Sequence, residues 1–139
     1  MHAACFPDDA WDSAALATVL AMAGTEGMLA STATGEACGL LIGQHLGEDA
    51  EILTLGVAPA LRRHGVARAL LSAFIAQSRA AGAARIVLEV AADNAPALAL
   101  YQALGFTRQG TRPNYYRRPT GRSMDAWRFG LDISSQKRP

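Results

Sequence analysis

Cysteine, aromatic residues and excess charge are all scarce in this chain of 139 residues. The two cysteines, Cys5 and Cys38, are too few for a disulfide framework and lack the spacing of a zinc site, so we expect reduced thiols. Aromatic residues make up 6% of the chain, which predicts an aliphatic core. Thirteen Lys and Arg against twelve Asp and Glu give a net charge of +1, which argues against general nucleic-acid binding.

Long hydrophobic runs are also missing. No apolar run approaches the roughly 20 residues of a membrane-spanning helix. Residues 1–7 lack the charged start and apolar run of a secretory signal. We therefore expect a cytoplasmic protein with no membrane partner. The length suits one domain, expected over residues 1–133, with residues 134–139 as a disordered tail.

Hydrophobic periodicity predicts antiparallel strands first, and then alternating helices and strands. Strands are predicted over residues 28–33, 37–46, 51–57, 85–90, 106–112 and 125–133. Helices are predicted between Asp12 and Gly24, over residues 66–81, and from Pro96 to Leu104. Residues 113–123 are expected to form a polar connection. This order predicts a mixed, mostly antiparallel α/β sheet with flanking helices.

Residues 58–68, between the third predicted strand and the strongest helix, are a candidate anion site. A helix start exposes unpaired backbone N–H groups at the positive end of the helix dipole. Gly65 and Ala67 allow phosphate oxygens to approach the backbone closely. Arg62, Arg63 and Arg68 add charge. The alternative is a surface turn with solvated arginines. The glycine patterns of NAD-binding and ATP-binding loops are absent, so neither cofactor is indicated.

Glu89 is a candidate base because it is the one acidic residue in a strand expected to be covered on both faces. A carboxylate there must reach water, a partner or a ligand. The alternative is a strand-end glutamate that points to solvent. Tyr101 lies on the helix predicted from Pro96 to Leu104, and by itself it is more typical of a core tyrosine. Tyr115 and Tyr116, with nearby arginines, fit a recognition rim, a nucleic-acid patch or a packed loop.

Two other kinds of site are excluded by spacing. Cys38 and His45 fall in one predicted strand, more than about 20 Å apart at about 3.3 Å per residue, so they cannot form a nucleophile and base pair. The three histidines, His2, His45 and His64, have no metal-ligand spacing, and no metal is expected.

The segment Arg62-Arg63-His64-Gly65-Val66-Ala67 resembles the phosphate-binding signature Gln/Arg-x-x-Gly-x-Gly/Ala of the GNAT family of N-acetyltransferases. It lies, as in that family, after a strand and at the start of a helix. The stretch from Leu88 to Phe106 is similar to the subgroup that acetylates the N-terminal alanine of a small-subunit ribosomal protein. Asn114-Tyr115-Tyr116, followed by Asp125-Ala126, strengthens this likeness. The resemblance covers about Glu51 to Ile133, and weakly the Phe6-Pro7 and Trp11 region.

The resemblance implies a role for each matching residue. Acetyl-coenzyme A (acetyl-CoA) would be held by Leu55, Gly56, Val57, Arg62, Arg63, His64, Gly65, Val66, Ala67, Arg68, Asn94, Ala97 and Tyr101. Backbone amides from Arg63 to Arg68 would bind the pyrophosphate, and the Val57 N–H would polarise the thioester carbonyl. Glu89, through water, would take a proton from the substrate ammonium, and Tyr101 would protonate the departing thiolate. Tyr115 and Tyr116 would line the acceptor groove.

The resemblance therefore implies acetyl transfer from acetyl-CoA to a primary amine, with the N-terminal α-amine of a ribosomal protein as the first hypothesis. Two alternatives stay open: a small-molecule amine acceptor, and a non-catalytic acyl-CoA-binding module. Family members begin with a further strand, which is expected to be missing here. Residues 28–33 would then form a sheet edge that can pair with another chain, and the oligomeric state stays open.

Overall fold

The computed structural model of the chain describes residues 13–117 and 120–134. Within them, a six-stranded sheet is flanked by helices. The helices are α1 (Ser13–Leu20), α2 (Val66–Ala80) and α3 (Ala95–Ala103), with a short 3₁₀ helix, Pro59–Leu61, before α2. The strands are β1 (Thr25–Ser31), β2 (Ala37–Leu46), β3 (Asp49–Val57), β4 (Arg85–Ala91), β5 (Thr107–Arg117) and β6 (Ser123–Asp132).

The sheet has the strand order β1-β2-β3-β4-β6-β5. Neighbouring strands are antiparallel except β3 and β4, which are parallel and are joined by the crossover that contains α2. A parallel pair needs such a crossover, because a tight hairpin can join only antiparallel strands. The predicted mixed, mostly antiparallel α/β sheet is therefore confirmed. Among the described strands, β1 forms one edge, where the sequence predicted an exposed edge.

The two faces of the sheet carry different helices. One row of paired residues crosses the sheet through Gly43, Ile52, Leu88 and Phe129. A Cβ on Gly43 would overlap the Phe74 ring of α2, and the Tyr101 ring of α3 lies 6.4 Å from that of Phe129. The helices α2 and α3 therefore share this face, which contains the main core. Gly27 of β1 lies near Leu20, so α1 covers the opposite face.

The last two strands correct the sequence prediction. Residues 113–117 continue β5, although they were expected to belong to a polar connection. The strand tolerates Pro113 because β5 is an edge strand, where a missing N–H breaks no ladder bond. The register shifts between Arg112 and Tyr116, and Asn114 takes a positive φ of 53°. This irregular part of β5 lacks the period-two pattern that identifies a strand from sequence.

Smaller differences lie at the ends of other elements. The strand predicted over residues 28–33 runs instead from Thr25 to Ser31, because the turn closes early, with the Gly35 N–H bonded to the Thr32 carbonyl. The strand predicted from residue 51 begins at Asp49, since Gly47, at φ 62°, makes a tighter reversal than expected. The predicted β2 bounds match the structure.

Other predicted helix and strand ends differ slightly. The first helix ends at Leu20, short of Gly24, whereas α2 and α3 end within one residue of prediction. The bounds of β4 and β6 differ from prediction by one or two residues. Several expectations lie outside the described residues: the Asp12 cap, Cys5, His2, the Phe6-Pro7 and Trp11 region, and residues 135–139 of the predicted tail. No helix in the described part of the chain is both long and apolar enough to cross a bilayer.

Candidate active site

A cleft opens in the middle of the sheet, where β3 and β4 part. Their parallel pairing runs from Asp49 and Arg85 to Ile52 and Leu88 and then stops. Beyond that point β3 stays paired with β2 as far as Val57, and β4 stays paired with β6 as far as Ala91. The two strands therefore splay apart. One wall of the cleft is residues 53–57 and the other is residues 89–91.

A β-bulge on β3 lies at the point where the strands part. Ile42 pairs with Thr54 and Gly43 pairs with Ile52, so Leu53 is the extra residue. A bulge bends its strand and increases its twist, which accounts for the divergence of β3 from β4. No residue pattern in the chain marks this bulge. Leu53 is an ordinary strand residue, and its unpaired state depends on the register with β2.

The bulge also determines which backbone groups enter the cleft. The Ala58 N–H donates to the Cys38 carbonyl, so Ala58 and every second residue before it bond toward β2. Leu55 and Val57, at the alternate positions, therefore direct their N–H and carbonyl groups away from β2 and into the cleft. The Leu55 N–H and carbonyl and the Val57 N–H can form a ladder with an extended amide-containing ligand. Gly56, at the intervening position, bonds toward β2, and the cofactor-binding roles of Leu55, Gly56 and Val57 stay predictions.

The loop from Arg62 to Gly65 brings the start of α2 to the end of the cleft. Arg63 and Gly65 both have left-handed backbone angles, with φ 68° and 79°. Gly65 precedes the first residue of α2 with no side chain capping the helix, and its carbonyl accepts the first intrahelical bond, from Ala69. The N–H groups of Val66, Ala67 and Arg68 precede that bond. A Cβ on Gly65 would meet no atom within 4 Å, so this helix start faces open space.

These features fit a diphosphate ligand. Successive N–H groups at a helix start bind phosphate oxygens, and the positive end of the helix dipole favours the charge. Arg63, His64 and Arg68 are exposed around the loop. Arg62 differs from them, because its Nε donates to the Val57 carbonyl at 3.1 Å. Arg62 therefore links the phosphate loop to the open end of β3, a structural contact that sequence analysis did not predict.

Glu89 lies on the other wall of the cleft and is largely enclosed, with 15% of its side chain exposed. Its Oε1 accepts a hydrogen bond of 2.9 Å from Nη1 of Arg112 on β5. The alternative of a strand-end glutamate that points to solvent is thereby excluded. Arg112 also stacks on Tyr115, with the guanidinium carbon 4.0 Å from the ring centroid.

Tyr101 is buried at the end of α3, between Phe106 and Phe129, with ring centroids 5.6 Å and 6.4 Å away. Burial raises the pKa of Tyr101 to about 12, and the nearby Tyr116 raises it further as a smaller cause. The phenol therefore keeps its proton throughout the physiological pH range. A neutral phenol can donate a hydrogen bond to a developing anion.

The candidate base and acid belong to opposite faces of the sheet. Leu88 and Phe129 lie on the face of the sheet that α2 and α3 cover, and Tyr101 of α3 packs against that face. Glu89, the next residue after Leu88, lies on the opposite face, which carries α1. The splayed cleft is an opening through the sheet between these two faces. A thioester bound on the α2 side can thus meet an amine that arrives from the α1 side.

The remaining predicted residues lie around this opening. Asn94 caps α3, and its Oδ1 accepts a hydrogen bond of 3.3 Å from the Ala97 N–H. Asn94 therefore has a structural contact besides its predicted cofactor role. Tyr115 and Tyr116 pack edge to face at 5.1 Å in the irregular part of β5. No cluster of potential metal ligands occurs among the described residues, and Cys38 is a buried free thiol.

Comparison with known proteins assigns this architecture to a class. Residues 2–106 match the sequence profile of the acetyltransferase (GNAT) family. The chain belongs to that family and is an acetyl-transferring enzyme. The family uses acetyl-CoA as its co-substrate, and the phosphate loop and cleft described above fit such a ligand.

The chain is similar to particular members of this family over most of its length. The chain is 39% identical over 103 residues to the [ribosomal protein bS18]-alanine N-acetyltransferase of Escherichia coli K12, covering 74% of this chain and 69% of that protein. The crystal structure of the Escherichia coli ribosomal-protein-S18-alanine N-acetyltransferase superposes with a TM-score of 0.84 at 32% identity, over 91% of this chain and 79% of that one. Ard1 from Thermoplasma volcanium gives a TM-score of 0.79 at 26% identity, over 89% and 81%.

Proposed function

We propose that this enzyme acetylates the N-terminal α-amine of a protein, with a ribosomal protein that begins with alanine as the first candidate. Its similarity to ribosomal-protein alanine N-acetyltransferases supports this acceptor. The single observation that carries the proposed mechanism is the cleft between β3 and β4. The end of the β3–β4 pairing at Ile52 and Leu88, with residues 55–57 on one strand and Glu89 on the other, supports this proposal.

The acetyl group is supplied by acetyl-CoA as a thioester. In this proposal the amides from Arg63 to Arg68 bind the pyrophosphate, while Asn94 and Ala97 bind the cofactor beside α3. The Leu55 and Val57 backbone orients the pantetheine arm, and the Val57 N–H polarises the carbonyl oxygen. Holding the thioester and the amine in attack geometry contributes several kcal/mol to catalysis.

Glu89 acts as the base, directly or through one water molecule. An α-amino group has a pKa of about 8, so at neutral pH it needs only a modest proton acceptor. Among the described residues, Oε2 of Glu89 has no hydrogen-bond partner, since Arg112 bonds Oε1. Oε2 is therefore the oxygen that faces the ammonium. Tyr101, held neutral, donates to the sulfur as the thiolate leaves.

The test is acetylation of an alanine-starting ribosomal peptide, followed by mass spectrometry, for wild type and Glu89→Gln. We expect the substitution to slow transfer by about 100-fold or more, the usual range for loss of a general base. Glu51→Gln is the matched control. Glu51 pairs with Val87, two residues before Glu89 on the same sheet face, in the part where β3 and β4 are still paired. Its variant should react like wild type.

Three results would contradict the proposal. Equal rates for wild type and Glu89→Gln would remove Glu89 as the base. A clear preference for small amines in direct competition with the peptide would assign the enzyme to the small-molecule alternative. Binding of acetyl-CoA without turnover on any amine would favour a non-catalytic module.

A further inference from the structure

We propose that Arg112 is the positioning residue for Glu89, so that it sets the carboxylate in the orientation that accepts the proton. This inference rests on the proposed function, in which Glu89 is the base. It is based on the contact of 2.9 Å between Arg112 Nη1 and Glu89 Oε1, which joins β5 to β4 across the intervening strand β6.

Register places the two side chains on one face of the sheet. Glu89, Arg128 and Gly110 form a row across β4, β6 and β5. Arg112 lies two residues beyond Gly110, so it projects to the same face. The carboxylate nevertheless bonds to Arg112, although Arg128 is its direct cross-strand neighbour. The Glu89 carboxylate therefore leans along β4 toward the level of Ala91, at the open end of the cleft.

The burial of the two partners is unequal. Glu89 has 15% of its side chain exposed and Arg112 has 56%. A largely enclosed carboxylate has lost most of its water and needs a charged partner, whereas the exposed guanidinium does not. Arg112 thus orients Glu89 more than Glu89 orients Arg112. By holding Oε1, it leaves Oε2 to face the amine.

Arg112 is itself fixed by the aromatic segment predicted to line the acceptor groove. Its guanidinium lies 4.0 Å from the Tyr115 ring centroid, and Tyr115 packs on Tyr116 at 5.1 Å. A planar guanidinium can stack on a ring and donate a hydrogen bond at its edge simultaneously. The base is therefore oriented by the same residues that would contact the acceptor peptide.

The test compares Arg112→Met and Arg112→Lys with wild type, using the alanine-starting peptide and acetyl-CoA. Loss of one hydrogen bond to a charged group should lower kcat about tenfold or more in Arg112→Met. The KM for acetyl-CoA should stay within about twofold, because the phosphate loop is on α2, away from this pair. Arg112→Lys should recover part of kcat, since it keeps the charge without the stacking plane. If Arg112→Met does not fold, Arg112→Lys provides the same comparison.

Arg108→Met is the matched control. Arg108 lies on the same strand and stacks on Trp127 at the same 4.0 Å, but it donates to Thr111 and pairs with Phe129 on the face of α2. Its variant loses an equivalent stacking contact without touching Glu89. It should retain wild-type kcat. A fall in kcat equal to that of Arg112→Met would assign both effects to general damage to β5 and overturn the proposal.

A double-mutant cycle separates this inference from the proposed function. If Arg112 acts through Glu89, adding Arg112→Met to Glu89→Gln should cost less than about twofold further. The full tenfold loss in that background, or a wild-type rate for Arg112→Met alone, would overturn the role of Arg112 only. Equal rates for wild type and Glu89→Gln would instead overturn the proposed base.

Discussion

Replacing Tyr101 with Phe removes one hydroxyl from a buried ring and leaves its packing in place. The ring lies between Phe106 and Phe129, and burial raises the pKa of its phenol from 10.0 to about 12. This shift predicts a specific dependence of stability on pH. It also predicts that the hydroxyl keeps its proton at every pH at which the enzyme works, so that it is available as a hydrogen-bond donor.

The size of the effect follows from the two pKa values. In the unfolded chain the phenol titrates near its ordinary pKa of about 10, and in the folded chain near 12. The pKa of Tyr101 is higher in the folded chain than in the unfolded chain. The protonated phenol therefore contributes its full stabilisation below the unfolded pKa, and this stabilisation is lost as pH rises through the folded pKa. Two pK units correspond to about 3 kcal/mol.

Urea unfolding at a series of pH values, from about 8 to about 12, measures this contribution when wild type is compared with Tyr101→Phe. The wild-type free energy of unfolding should fall by about 2 kcal/mol more than that of the variant between about pH 10 and 12, where the folded phenol is half ionised. All other titrating groups are common to both proteins and cancel. An identical pH dependence for the two proteins would refute the argument that Tyr101 is buried and neutral.

The same variant tests the catalytic role. Tyr101→Phe should lower kcat by about 100-fold, the lower part of the range for general acid–base groups. A wild-type kcat would mean that the thiolate leaves without help from this phenol.

Two further predictions concern packing and capping. Gly43→Ala should lower the free energy of unfolding by about 1–3 kcal/mol in urea titration, because the new Cβ would overlap the Phe74 ring. Gly110→Ala, where a Cβ would meet nothing within 4 Å, is its control, and equal losses would contradict this reasoning. Asn94→Ala should cost about 1 kcal/mol, since the Ala97 N–H loses its cap. An unchanged melting temperature would show that the cap contributes nothing.

Local chemistry made much of the fold and site predictable. Gly65 and Ala67 follow a strand and open a strongly amphipathic helix, so a candidate anion site could be predicted from neighbours in the chain. The β2 bounds were predicted correctly because Ala37 to Leu46 lies between two turns that contain glycine, Gly35 and Gly47. Glu89 could be predicted as a candidate base because it is the one acidic residue in a covered strand. In the structure it lies on the wall of the cleft.

What sequence could not predict depends on register and strand order. The pairing of Arg112 with Glu89 spans 23 residues and requires β6 to lie between their strands. The extra residue Leu53 is defined only by its pairing partners on β2. The extension of β5 past Pro113 depends on its edge position. Each is a property of the assembled sheet, with no periodic signal in the chain.

The central claim is that the start of α2 binds the diphosphate of acetyl-CoA, and calorimetric titration of acetyl-CoA into wild type, Gly65→Ala and Gly35→Ala tests it directly. Both glycines have positive φ, 79° and 91°, and open space at Cβ, so both variants carry the same kind of backbone strain. Wild type and Gly35→Ala should bind equally, and Gly65→Ala should bind about tenfold more weakly or worse. No binding by folded wild type, or equal binding by all three proteins, would contradict the account.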